Sequence, residues 1–107
     1  MDINTVTLSG HIFDIRVNPT TGLYPVIEAK LSVNVGTDKD NNINYDEFNL
    51  RSYCKKNAKI AKLKEGQFVT VCGKLKEDIR VNTLNAETVR SKTYVNIENL
   101  KTHNIEN

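Results

Sequence analysis

The residues best equipped for chemistry in this chain are aromatic and cationic, and they recur at alternate positions. Tyr45, Arg51 and Tyr53 share one parity in one run, Lys74 and Lys76 share one in another, and Lys30 and Arg80 stand further out. On an extended chain, side chains two apart lie on the same face, so each run offers rings or positive charge to one side. Such a set makes and breaks no bonds. Rings stack on other planar groups, cations pair with anions such as phosphates, and Asn49, on the parity of Arg51, adds an amide that both donates and accepts.

Bond-breaking constellations are missing from the sequence. It has no glycine-rich phosphate loop, no nucleophile elbow and no carboxylate cluster beside a base, so no catalytic residue and no cofactor is expected. Asp46, Glu47 and Arg51 come nearest to a nuclease-like set and do not make one. Asp38, Asp40 and Asn42 have the spacing that opens a calcium loop, but no glycine follows at the sixth position and no glutamate at the twelfth. His11 and His103 stand alone and read as surface or strand-edge residues, and no metal is expected. Cys54 and Cys72 lack a C-x-x-C partner and read as reduced, small side chains.

With 107 residues the chain accommodates one domain, read as residues 1–102, followed by a frayed tail over 103–107. Fifteen basic against thirteen acidic residues leave a net charge of +2, so composition alone does not point to nucleic acid. Any electrostatic site must come from the placement of charge on one face. No stretch has the form of a secretory signal, and no apolar run approaches the roughly 20 residues that span a bilayer, so the expected compartment is the cytoplasm, away from membrane.

Period-two alternation sets out the elements that must carry these side chains. Ile3 to Val17 reads as a long first strand bent at Gly10, and Asn18 to Gly22 as a turn. Val26 to Val35 is a second strand, with Ala29, Leu31, Val33 and Val35 inward and Glu28, Lys30 and Ser32 outward. Gly36 to Asn44 reads as a mobile loop. Tyr45 to Cys54 is a third strand, with Phe48 and Leu50 inward and Tyr45, Glu47, Asn49, Arg51 and Tyr53 outward. Lys55 to Lys64 is the single helix candidate; its lysines form the solvated side and Gly66 ends it. Gln67 to Lys76 is a fourth strand, with Val69, Val71 and Leu75 inward and Gly73 at a sharp bend. Glu77 to Lys92 is a loop or a long irregular ribbon. Thr93 to Leu100 is the last strand, with Val95 and Ile97 on one face and Tyr94, Asn96 and Glu98 on the other.

The fold class is therefore all-β with one short helix, and five strands with a helix between the third and fourth is the order of the OB fold, a five-stranded Greek-key barrel. Particular segments go further. Asn4 to Gly10 (NTVTLSG) resembles the "N-K-V-x-L-x-G" opening of bacterial single-stranded DNA-binding proteins, and Ile15 to Gly22 is similar to their "V-R-Y-x-P-x-G" turn. Ala29 to Asn34 and Glu47 to Leu50 resemble two further strands of that family. Leu63 to Leu75 (LKEGQFVTVCGKL) is similar almost position for position to its "L-K-K-G-x-x-V-x-V-x-G-x-L". About three quarters of the chain is covered by this resemblance.

The resemblance implies a protein that binds single-stranded DNA independently of sequence, in replication, recombination or DNA transfer, as a homodimer or homotetramer that engages replication proteins. It places Tyr53 at a stacking aromatic before the helix. Glu47 or Phe48 falls at the family's third-strand tryptophan, and parity assigns that outward place to Glu47, so one stacking platform is missing. Another is missing near Ile79 and Arg80, and the family's acidic, phenylalanine-ended tail is absent, as in accessory, phage or plasmid members or a shortened chain. The expected nucleic-acid-binding set is Lys30, Tyr45, Asn49, Arg51, Tyr53, Lys74, Lys76 and Arg80. Two other readings stay open: an OB module that contacts protein in a replication or transfer complex with little DNA affinity, and an RNA-binding OB domain.

Overall fold

In the computed structural model, which describes residues 2–18, 25–53, 60–81 and 88–103, five strands close on themselves. They are β1 (Val6–Asn18), β2 (Val26–Thr37), β3 (Ile43–Ser52), β4 (Phe68–Val81) and β5 (Thr88–Thr102), hydrogen-bonded in the order β1-β2-β3-β5-β4, with β4 returning to β1. A ring with an odd number of strands cannot alternate direction throughout. One neighbouring pair must be parallel, and here it is β3 with β5.

The alternation in each strand follows from this closure, because the barrel interior takes every second side chain. Ile12, Ile27, Ala29, Leu31, Leu50, Val69, Val71, Val95, Ile97 and Leu100 are buried together, with Ile60 from the segment before β4. A Val, Leu or Ile side chain fully buried in this way contributes about 1.5–3 kcal/mol relative to an exposed one. Two residues expected inside lie half exposed: Val35, on the hairpin arm that β2 and β3 extend past the barrel, and Leu75, just before the arm of β4 and β5, where β3 has parted from β5 and leaves it uncovered.

Those arms shorten one expected loop and decide between the two readings of another segment. Of the segment read as a mobile loop, residues 38–42 remain a connection, while β2 continues to Thr37 and β3 starts at Ile43. The short connection is tied by Asp38, whose carboxylate accepts from the N–H groups of Asp40 and Asn42 at 2.9 and 3.0 Å. Asn41 takes a positive φ of 61° there, a conformation that asparagine tolerates. The ribbon alternative is the one seen after Lys76: β4 extends to Val81 and pairs with a β5 that begins at Thr88, well before Thr93.

The first strand bends elsewhere than expected. Its register against β2 slips between Phe13 and Arg16, and Asp14 has φ 53°. Glu65 holds this bulge by accepting the N–H groups of Asp14 and Ile15 at 2.7 and 2.9 Å. Gly10 serves close approach instead, since a Cβ there would run into the carbonyl oxygen of Ser32. Gly73 fulfils the expected bend: β4 shifts register against β5 beside it, and a Cβ there would run into the Asn96 carbonyl oxygen.

Of the expected helix, Ile60 and Ala61 are helical and the preceding part lies outside the described residues, as do Cys54 and most of the Asn18–Gly22 turn. His103, expected in a frayed tail, is hydrogen-bonded through its N–H to the Phe68 carbonyl at 3.3 Å; residues 104–107 lie outside the described set.

Candidate nucleic-acid interface

Register places the outward side chains of β2, β3, β5 and β4 in rows across one outer face. Glu28 stands opposite Arg51, Arg51 opposite Asn96, and Asn96 opposite Lys74. In the adjacent row Lys30 stands opposite Asn49, and Tyr94 of β5 opposite Lys76. Asn49 joins this row to β5 by donating from Nδ2 to the Thr93 carbonyl at 3.3 Å. Five of the expected residues (Lys30, Asn49, Arg51, Lys74 and Lys76) therefore share a surface, and Tyr53 follows at the end of β3.

Arg51 is the centre of that surface, and it is not the solvent-facing cation expected from the sequence. Its side chain is only 14% exposed. Its Nη1 donates to the Tyr53 hydroxyl at 3.0 Å and lies 3.5 Å from Asp78, while Nε lies 3.6 Å from Glu28. The guanidinium carbon sits 4.3 Å from the centre of the Tyr94 ring. The physical reason is local charge: carboxylates on β2 and β4 flank a guanidinium on β3, and an aromatic face on β5 covers it. Burial alone lowers the guanidinium pKa, but the hydrogen bond to Tyr53 and the field of Glu28 outweigh it, and Arg51 is held above its ordinary value. Nε is buried and has no hydrogen-bond acceptor among the described residues.

The consequence is a fixed aromatic pair. Tyr53 is 47% exposed, with its hydroxyl held by Arg51, and Tyr94 is partly buried under the same guanidinium. Burial and hydrogen bonding to Tyr53 raise the pKa of the Tyr94 phenol, although Arg51 pulls it down. Tyr94 is the functional candidate that sequence reading left out of the site. Its parity with Asn96 on the last strand was visible; the missing signal was that β5 lies next to β3, which only the topology shows.

Around this pair, Lys30, Lys74, Lys76 and Lys92 take part in no ion pair among the described residues. Tyr45 is exposed out on the β2–β3 arm, opposite Asn34 and apart from the Arg51 cluster. Arg80 is carried on the β4–β5 arm in register with Arg90.

Between β3 and β5 the face is interrupted by a slot. These strands pair only at Leu50↔Val95 and Arg51↔Asn96 among the described residues, and then part. The resulting cleft of about 470 Å³ has Phe48, Leu75 and Val95 on its inward side and Glu47, Asn49, Lys92 and Tyr94 at its rim.

The face on β1, β4 and the end of β5 is different. Ser9 and Thr70 hydroxyls meet at 2.8 Å, Thr70 meets His103 Nε2 at 2.7 Å, and Thr7 donates to Cys72 at 3.6 Å. His11 and His103, expected to stand alone, flank Phe68 with ring centroids 5.2 and 5.3 Å away.

A five-stranded closed barrel with one parallel β3–β5 pair is the OB architecture, the class to which this fold belongs. No protein-family profile matches the chain, and no curated protein matches it either. Solved structures do. The chain is similar to a Plasmodium falciparum single-stranded DNA-binding protein solved in complex with single-stranded DNA, with a TM-score of 0.76 at 18% identity over 97% of each chain. It is also similar to a small single-stranded DNA-binding protein from Streptomyces coelicolor, with a TM-score of 0.70 at 15% identity over 96% of each chain. At these identities the likeness establishes the fold.

Proposed function

We propose that this protein binds single-stranded DNA without sequence readout and without catalysis, through the outer face of β2, β3, β5 and β4. The observation that carries this reading is the combination on one face of a braced tyrosine pair, Tyr53 and Tyr94, with lysines that no carboxylate among the described residues neutralises. Exposed rings offer stacking platforms that tolerate any base, and unpaired ammonium groups follow the phosphates. Arg51 enters as the group that fixes both rings, and the phosphate contacts fall to Lys30, Lys74, Lys76 and Arg80. The Plasmodium relative in complex with single-stranded DNA supports the ligand class.

Assembly as a homodimer or homotetramer, service to replication, recombination or DNA transfer, contacts with replication proteins and a cytoplasmic setting belong to the same proposal. No helix among the described residues is long and apolar enough to cross a membrane.

Titration of fluorescent oligo(dT) at several salt concentrations tests the reading. With roughly four to six phosphates paired, log affinity falls against log salt with a slope of about −3 to −4. No saturable binding at low salt would overturn it and favour the protein-interaction module, and tighter binding of oligo(U) than of oligo(dT) would favour an RNA ligand.

A further inference from the structure

The slot between β3 and β5 has a form that phosphate binding does not need. Its inward side is apolar, made by Phe48, Leu75 and Val95, and about 470 Å³ places it among clefts that accept small organic groups. Leu75 is 46% exposed there, an apolar surface left uncovered because the strands part. At the rim stand an acceptor and a donor of opposite charge. Glu47 is exposed on β3, Lys92 is half-buried on β5, and they make no ion pair with each other or with any described residue. Asn49 spends an N–H on the Thr93 carbonyl, which leaves its oxygen free to accept. A trough walled mainly by apolar side chains, with Thr93 also in its lining and charged and amide groups along its lip, suits a flat heterocycle inserted edge-on, with its ring against Phe48 and Leu75 and its polar edge at the opening.

We propose that this slot takes one base of the bound strand, and that Glu47 biases it towards bases carrying an exocyclic amine. The proposal rests on the single-stranded DNA reading above. A carboxylate accepts from the amino group of cytosine or adenine, whereas the corresponding position of thymine presents an oxygen that a carboxylate repels. The result is a preference in base composition at one point of contact, laid over a surface that otherwise stacks any sequence.

The test compares oligo(dC) with oligo(dT) of equal length at one salt concentration, at pH 8 to keep cytosine unprotonated. The wild type is set beside Glu47→Leu and Asp46→Asn. Asp46 is exposed on β3 with the opposite parity, so its variant removes a nearby negative charge without touching the slot. Glu47→Leu is expected to shift the dC-to-dT affinity ratio towards dT by about threefold or more. Asp46→Asn is expected to strengthen both oligonucleotides alike. If Glu47→Leu changes both by the same factor, the slot proposal is overturned while DNA binding stands. If neither oligonucleotide binds the wild type, the underlying reading fails and the slot proposal with it.

Discussion

Two outer faces of one barrel solve the same problem in opposite ways. On the β1–β4 side, polar side chains satisfy one another: Ser9 with Thr70, Thr70 with His103, Thr7 with Cys72. Each contact adds about 0.5–1.5 kcal/mol at most. On the β2–β3–β5–β4 side, a guanidinium is shared among two carboxylates and two tyrosines, while the surrounding lysines have no ion-pair partner among the described residues. The first face is closed upon itself. The second holds positive charge and ring surface with no such internal partners, and that difference is what the proposed binding face rests on.

The comparison can be broken most severely at Gly73, on the strand that both faces share. Gly73→Ala would press a Cβ against the Asn96 carbonyl, a backbone atom that cannot move aside without opening the β4–β5 ladder. The expected loss is about 3 kcal/mol or more, read by urea unfolding, with both faces disrupted together.

A smaller effect separates the faces. Arg51→Ala removes the cation of Asp78, leaves Glu28 with Arg16 alone and releases both tyrosines; it should cost about 1–3 kcal/mol. Arg51→Lys recovers only part of this, because an ammonium cannot reproduce the planar fork over Tyr94. Thr70→Val on the other face should cost about 1 kcal/mol or less and leave oligonucleotide affinity unchanged. Equal losses of affinity from Arg51→Ala and Thr70→Val would erase the distinction between the faces.

The subtlest test is alkaline. The folded protein raises the Tyr94 pKa above its ordinary value near 10, chiefly through burial. The folded state thus holds that proton more tightly than the unfolded state does, and stability falls as pH rises through the folded pKa. The contribution is fully present below about pH 10 and lost above it. Tyr94→Phe should flatten the decline of stability above pH 10 followed by circular dichroism, while an unchanged slope would mean that Tyr94 is not the group responsible.

Much of this was legible in the residues. Alternation in β2 and β3 separated Leu31 and Leu50 from Lys30 and Arg51 correctly, since a strand with one wet face carries that pattern openly. The hairpin arms were harder to read, because beyond the barrel no core enforces alternation, and the polar segments around Asp38 and after Lys76 look alike whether paired or not. The state of Arg51 was hidden for another reason. Glu28 reaches it through the β2–β3 register, and Asp78 and Tyr94 only when β3 closes against β5 and β4, so no spacing within β3 announces that the cation is already engaged by three distant residues. The bulge at Asp14 depends likewise on Glu65, about fifty positions away.

The most direct test of the central claim is backbone amide chemical-shift mapping by NMR during titration with oligo(dT). The account predicts that perturbations concentrate on Lys30, Asn49, Arg51, Tyr53, Lys74, Lys76 and Tyr94, with Thr7, Ser9, Thr70 and Cys72 unmoved. Shifts confined to that second group, or none at saturating oligonucleotide and low salt, would contradict it.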